Sequence, residues 1–243
     1  MRGVFVTGTD TGCGKTHVAA ALITGLRQTG LQVTAFKPIA AGASSRDGKL
    51  RNDDALALRT ATGLALRYGA VNPYCFEAPI APHLAAAEAG VRIEPAVVVA
   101  ALEELVKTGD FVVAEGAGGW HVPLAPGLDI QALALTLRLP VVLVVGLRLG
   151  CLNHALLTEQ AIRASGAPLL GWIGTQIDPA MQRVRENLQT LHALLQGPCL
   201  GVLTHPGAAA AADCARPLVV DALLKPRRPG GYTPQNRELG INM

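Results

Sequence analysis

Residues 4–16 read VFVTGTDTGCGKT. An apolar run, Gly3–Val6, ends in a glycine-rich stretch that closes on Gly14-Lys15-Thr16, and an alanine- and leucine-rich segment follows at once. Strand, glycine loop, Gly-Lys-Thr and helix is the arrangement that holds phosphate. Successive backbone N–H groups and the positive end of the helix face the anion. In that setting Lys15 is a point charge for β/γ oxygens, and the Thr16 hydroxyl is a magnesium ligand. The spacing departs from the common loop, because the position five before Gly14 is Thr9 and the glycine stands one earlier, at Gly8. The plain alternative is a glycine-rich turn that carries Gly-Lys-Thr by chance.

Other residues suited to chemistry lie further along. Magnesium at a nucleotide takes one or two carboxylates besides phosphate oxygens and water. Glu115 ends an apolar run and could supply one; satisfaction by neighbouring backbone N–H groups is the simpler reading. Asp54 could supply another, against the simpler reading of a helix cap. Lys37 closes a second apolar run and could stabilise phosphoryl oxygens or an anionic intermediate; the alternative is a solvated lysine. Gly116–Gly119 permits close backbone approach to a ligand. His17 and His121 have no partner at metal-ligand spacing and read as structural. Cys13 matters in the loop for its N–H more than for its thiol.

The elements that must position these groups follow from periodicity. Helical spacing covers Thr16–Gln28, with Gly30 ending the helix, and Gln32–Ile39 reads as a strand. Gly42–Asp53 is polar and bears glycine and serine, so a mobile surface loop is expected, followed by a helix over Ala55–Ala61. Three prolines (Pro73, Pro79, Pro82) keep residues 72–83 from being one regular element. Pro95 opens a helix that reaches Lys107, and Asp110–Ala114 is a buried strand. A helix near Ile130–Leu137, a strand Val141–Val145, a helix Ala155–Ala164, a strand Leu169–Ile177, a helix Ala180–Leu195 and a strand Cys199–Leu203 complete the chain. Such alternation predicts an α/β fold, a doubly wound, mostly parallel sheet with helices on both faces. Ligands of such sheets sit at the carboxyl ends of the strands, where the residues above fall.

At 243 residues the chain fits one domain, expected over residues 1–224, while the tail from Lys225 reads as disordered. Hydrophobic residues make up 50% and aromatic ones only 4%, which suits a core of Ala, Val, Leu and Ile under helices. A formal charge of +3 argues for neither nucleic acid nor a membrane surface as partner. The first strand starts too early to leave room for a signal peptide, no apolar run reaches the length of a membrane span, and the chain is expected to be cytoplasmic. Five scattered cysteines with no C-x-x-C argue against a disulfide framework or a zinc site.

Taken together, the motifs resemble the dethiobiotin synthetase family. They are GTDTxxGKT at Gly8–Thr16, KPxxxG at Lys37–Gly42, RNxDA at Arg51–Ala55, VNPY at Val71–Tyr74, PxxPH at Pro79–His83, EGAGGW at Glu115–Trp120 and LGCxNHA at Leu149–Ala155. Each is weak alone; the ordered set is specific. The resemblance implies a P-loop fold and an ATP- and magnesium-dependent ring closure. In it 7,8-diaminopelargonic acid and CO2 give a carbamate, the carbamate takes the γ-phosphate of ATP to form a mixed anhydride, and the second amine displaces phosphate. It also implies that Thr16, Asp54 and Glu115 hold magnesium and that Lys37, Lys15 and Thr11 are catalytic. Gly12, Cys13, Gly14, Lys15, Thr16, His17, Asp54, Glu115, Gly116, Ala117 and Gly118 would bind the nucleotide. Thr175, Gln176, Thr204, His205 and Pro206 would lie at its base. Substrate would meet Thr11, Lys37, Ala41 and Gly118, together with Gly150, Cys151, Leu152 and Asn153 of the partner chain in a homodimer.

Four departures stand out: Ala41 where the family usually has serine, Gly12 where it often has an acid, Thr175-Gln176 for Asn-Asp, and Thr204-His205-Pro206 for an apolar turn. They leave the preferred base open, and they keep a degenerate, nucleotide-binding paralogue in view. A partitioning-type ATPase switch is the rival from another class. Such switches commonly carry an extra lysine where this chain has Thr9-Asp10-Thr11, and they need a surface for DNA or membrane.

Overall fold

The computed structural model describes residues 2–204 and 218–224. β1 (Gly3–Gly8) passes through the glycine loop into α1 (Lys15–Gln28), and β2 (Val33–Phe36) follows. β3 (Ile39–Ala40) leads to a hairpin of β4 (Ser44–Arg46) and β5 (Lys49–Arg51), then to α2 (Asp53–Thr62) and α3 (Tyr68–Val71). β6 (Tyr74–Cys75) pairs with β3, and α4 (Pro82–Glu88), α5 (Pro95–Val106) and β7 (Phe111–Glu115) come next. A second hairpin, β8 (Pro123–Ala125) and β9 (Leu128–Asp129), enters α6 (Ile130–Leu137). β10 (Val141–Leu147), α7 (Cys151–Ala164), β11 (Leu169–Gln176), α8 (Val184–Leu194) and β12 (Cys199–Leu203) alternate to the end of the sheet; α9 is Asp221–Leu224.

The central sheet has six strands in the order β12-β11-β10-β1-β7-β2, and its pairs are parallel. Its strands are apolar on both faces, so successive residues feed two cores. Val4 and Val6 of β1 pack with Val18, Leu22 and Leu26 of α1 and Leu58 of α2. Phe5, between them, packs with Val98, Leu102, Ile130 and Leu133 of α5 and α6 on the other side. That is the doubly wound sheet the alternation predicts.

Several boundaries differ from expectation. The second strand stops at Phe36, because Pro38 has no N–H for the ladder, and Ile39–Ala40 pairs instead with β6. The segment expected as a mobile loop is the β4–β5 hairpin, turning at Asp47 and Gly48 with φ of 51° and 71°. α7 begins at Cys151, four residues ahead of its expected start, with Gly150 in the left-handed region as N-cap. α8 starts late, at Val184: the Asp178 carboxylate accepts from the Ala180 N–H in a local turn, and Arg183 takes a φ of 57°.

Parallel pairing puts all the carboxyl ends on one edge. The loop of residues 9–14 follows β1, Lys37 follows β2 and Glu115 ends β7, three strands that are neighbours in the sheet. The ends of β10, β11 and β12 carry Leu147–Asn153, Thr175-Gln176 and Thr204 on the other side of β1.

Candidate functional site

The glycine loop is shaped by two close approaches. Gly14 is the N-cap of α1 at φ 92°, and a Cβ there would meet Thr175 Cγ2 at 2.6 Å. At Gly8 a Cβ would meet Cys13 Sγ at 2.3 Å, so the buried Cys13 side chain underpins the loop; Cys13 itself does not line the cavity described below. Lys15 is buried and folded back: its Nζ donates to the Asp10 carbonyl at 2.8 Å. Asp10 is itself held by Arg148, whose Nη2 donates to Oδ2 at 2.6 Å, while Oδ1 accepts from the Thr11 N–H at 2.7 Å. Sequence reasoning missed the Asp10–Arg148 pair, which joins loops on two different strands.

Lys37 is the centre of charge. It is 4% exposed, and its Nζ donates to Glu115 Oε1 at 2.5 Å and to Asp54 Oδ2 at 3.2 Å. It is not a solvated surface lysine. Burial alone would lower its pKa, but Glu115 and then Asp54 outweigh burial and raise it. For Asp54 burial would raise the pKa, yet Lys37, the Thr16 hydroxyl and Lys15 together hold the carboxyl below its ordinary value. Asp54 is not the helix cap either. Asn52 is: its Oδ1 accepts from the Ala55 N–H at 3.2 Å, which leaves the Asp54 carboxylate free to face Lys37.

Glu115 has no exposed surface. Its Oε1 accepts from the Thr16 hydroxyl at 3.0 Å as well as from Lys37. Its Oε2 is buried with no hydrogen-bond partner among the described residues. An ionised oxygen in that position needs a cation or a donor. Among the described residues no three His, Cys, Asp or Glu side chains gather as a self-sufficient metal cluster. Two carboxylates and a hydroxyl are instead the sparse donor set of magnesium that completes its shell with phosphate oxygens and water.

These groups open onto one cavity of about 730 Å³, in the size range of ligand pockets. Of the residues singled out from sequence, Thr11, Gly12, Gly14, Lys15, Thr16, Lys37, Ala41, Asp54, Glu115, Ala117 and Gly118 line it. Ile39, Pro79, Ile80, Pro82 and Val122 form an apolar wall that sequence reasoning left without a role, although PxxPH marked part of it. His17 is exposed on α1 and does not line the cavity. Gly116 lies behind it: a Cβ there would touch the Phe5 ring at 3.0 Å. Thr175 and Gln176 are buried at the end of β11, with Oγ1 and Oε1 unpartnered among the described residues. Thr204 follows β12; His205 and Pro206 lie outside the described residues, as does the tail from Lys225. Gly150, Cys151, Leu152 and Asn153 open α7 and do not line this cavity.

A family model described as AAA domain matches residues 2–207. Among curated proteins, the chain is 48% identical over 217 residues to the ATP-dependent dethiobiotin synthetase BioD of Aromatoleum aromaticum, covering 89% of this chain and 96% of that one. It is 50% identical over 224 residues to the protein of the same name in Pseudomonas paraeruginosa, covering 90% and 98%. Among solved structures, it is similar to the MinC:MinD cell division complex of Aquifex aeolicus, with a TM-score of 0.54, 13% identity, and 96% and 100% of the two chains covered. It is also similar to the septum site-determining protein MinD of Pyrococcus horikoshii, complexed there with Mg-ADP, at a TM-score of 0.52 and 16% identity over 84% and 82% of the chains. At such identities these last two likenesses establish the fold, a P-loop α/β sheet.

Proposed function

The chain belongs to the ATP-dependent dethiobiotin synthetase family, and from that premise we propose that it closes the ureido ring of dethiobiotin at the Lys37 cavity. The observation that carries this reading is the convergence on Lys37. Its ammonium lies between Glu115 and Asp54, while Glu115 also reaches Thr16, 99 residues away in the sequence. A chain that had lost its chemistry and kept only nucleotide binding would have little reason to bury a lysine there.

In the proposed reaction an amine nitrogen of 7,8-diaminopelargonic acid bonds to the carbon of CO2 and loses a proton, leaving a carbamate. A carbamate oxygen attacks the γ-phosphorus of ATP and ADP departs. The second amine then attacks the carbonyl carbon of the mixed anhydride and phosphate leaves. Lys15 exchanges its bond to the Asp10 carbonyl for phosphate oxygens, and Lys37 faces the carbamate and the transferred group. Thr11 and Gly118 line the substrate side, and the backbone of residues 12–16 holds the triphosphate. Positioning and charge stabilisation are most of what phosphoryl transfer asks of a protein.

Thr16, Asp54 and Glu115 are the residues proposed to hold magnesium; the unpartnered Glu115 Oε2 fits that role. When bound, magnesium neutralises charge on the phosphate oxygens. Thr175, Gln176 and Thr204 are proposed for the base side, and a homodimer supplies Gly150–Asn153 to the neighbouring cavity. The unit is proposed to be one domain over residues 1–224, working in the cytoplasm. No helix among the described residues is long and apolar enough to cross a membrane.

The test is product formation from 7,8-diaminopelargonic acid, bicarbonate and magnesium, with ATP, CTP or GTP in turn and dethiobiotin read by mass. Product with ATP is expected. Nucleotide binding without product under any of the three would replace this reading with a degenerate paralogue.

A further inference from the structure

Two of the sequence motifs, RNxDA and VNPY, contribute residues that do not reach the reacting groups. Arg51 and Asn72 stand away from the cavity, yet Asn72 is 2% exposed and uses its whole amide. Asn72 Nδ2 donates to the Lys37 carbonyl at 2.7 Å and to the Tyr74 carbonyl at 2.9 Å. Its Oδ1 accepts from the Tyr68 hydroxyl at 2.8 Å. That hydroxyl in turn accepts from the Asn52 backbone N–H at 2.8 Å. Asn52 caps α2 two residues before Asp54, and its Nδ2 donates to the Ala41 carbonyl at 3.2 Å. Arg51 lies over the Tyr68 ring, 4.2 Å from its centre, and fixes the ring from the hairpin side.

We propose that Tyr68 is a positioning residue: through its hydroxyl, the backbone segment that carries Lys37 and the helix start that carries Asp54 are held at the spacing at which Lys37 pairs with Asp54 and so aims that proposed magnesium carboxylate. The proposal rests on the functional reading above for the identity of the metal, and on the hydrogen bonds for the rest. Lys37 and Asp54 sit on different elements, and α2 reaches the cavity only through its first turn. A fixed spacing therefore depends on ties between the two segments. Asn52 Nδ2 reaches the Ala41 carbonyl, and Tyr68–Asn72 is the buried link that reaches the Lys37 backbone itself, so removing one member leaves the others unpaired.

Tyr68→Phe deletes the hydroxyl and keeps the ring under Arg51. The measurement is calorimetric titration of magnesium into the ADP-saturated protein, with ADP affinity in EDTA and thermal midpoint taken on the same samples. The expected result is magnesium affinity lowered roughly tenfold or more, the usual scale for groups that orient ligands, with metal-free ADP affinity unchanged. Asn72→Ser, which also breaks the bond between the two residues, is expected to shift magnesium the same way and serves if Tyr68→Phe does not fold. A lower thermal midpoint with magnesium affinity unchanged would overturn the proposal, leaving Tyr68 a purely structural residue. The titration needs no turnover, so failure of wild-type ring closure and failure of this inference are separate outcomes.

Discussion

Lys37 is kept charged in a buried place by two carboxylates, and that arrangement fixes a pH dependence. Asp54 has a depressed carboxyl pKa in the folded chain, so its contribution to stability is complete above the ordinary carboxylate value of about 3.9 and is lost as pH falls through the folded value. Lys37 has a raised pKa, so its contribution is complete below about 10.4 and is lost as pH rises through the folded value. Urea midpoints of the ligand-free protein are expected to fall at both extremes. Asp54→Asn should flatten the acid limb, and an acid limb identical to wild type would count against the Lys37–Asp54 pairing. Lys15→Ala removes the point charge of the phosphate loop and is expected to cost roughly 10²–10³-fold in turnover, the scale for losing one charge-stabilising group. Wild-type turnover in that variant would refute the loop assignment. Glu115→Gln removes a proposed magnesium ligand and half of the Lys37 counter-charge together. Weaker magnesium activation accompanied by a lower thermal midpoint is the expected pair of effects, and an unchanged magnesium titration would take Glu115 out of the metal site.

At the level of elements, the turn from β1 into α1 depends on Gly14. A left-handed backbone costs an L-residue roughly 1–2 kcal/mol, and an alanine Cβ would also collide with Thr175 Cγ2. Gly14→Ala is therefore expected to lower both the thermal midpoint and nucleotide affinity. Adding Thr175→Ser, which removes that methyl, should recover part of the loss; no recovery would mean that backbone strain alone decides. The longer helices were legible because eight or more residues give periodicity time to declare itself, as in α1, α5 and α6. The short ones were not: β3, β6, β8, β9, α3 and α4 exist through pairing with distant segments or through a local turn. The β4–β5 hairpin carried a usable signal, Asp47-Gly48 between two short runs, which is a strong hairpin turn. The site was legible as a set of strand ends, since a parallel sheet gathers them on one edge. Its wiring was not. That Lys37 touches Glu115 follows from β7 lying beside β2, and strand order cannot be read from element order alone.

For the molecule as a whole, the placement of Gly150–Asn153 bears on the proposed homodimer. The LGCxNHA motif opens α7, yet none of these four residues lines the cavity built by Lys15, Lys37 and Glu115 in its own chain. If they meet substrate, they meet it in another copy. The surface around them is suited to that: Leu149 is 94% exposed immediately before the helix, and Leu157 is 57% exposed two turns along it. Apolar side chains left so open at one helix are a natural seat for a second copy with the same patch. In the proposed homodimer a charge at Leu157 would be buried without a partner, so Leu157→Glu is expected to shift the protein from dimer to monomer in sedimentation velocity at micromolar concentration. Because the phosphate loop, Lys37 and the proposed magnesium ligands belong to a single chain, the monomer should still bind ATP with wild-type affinity. The KM for the diamine should rise at least tenfold, since only the substrate end would lose its partner residues. A wild-type protein that sediments as a monomer while turning over normally would remove the second copy from the site and require another role for the α7 motif.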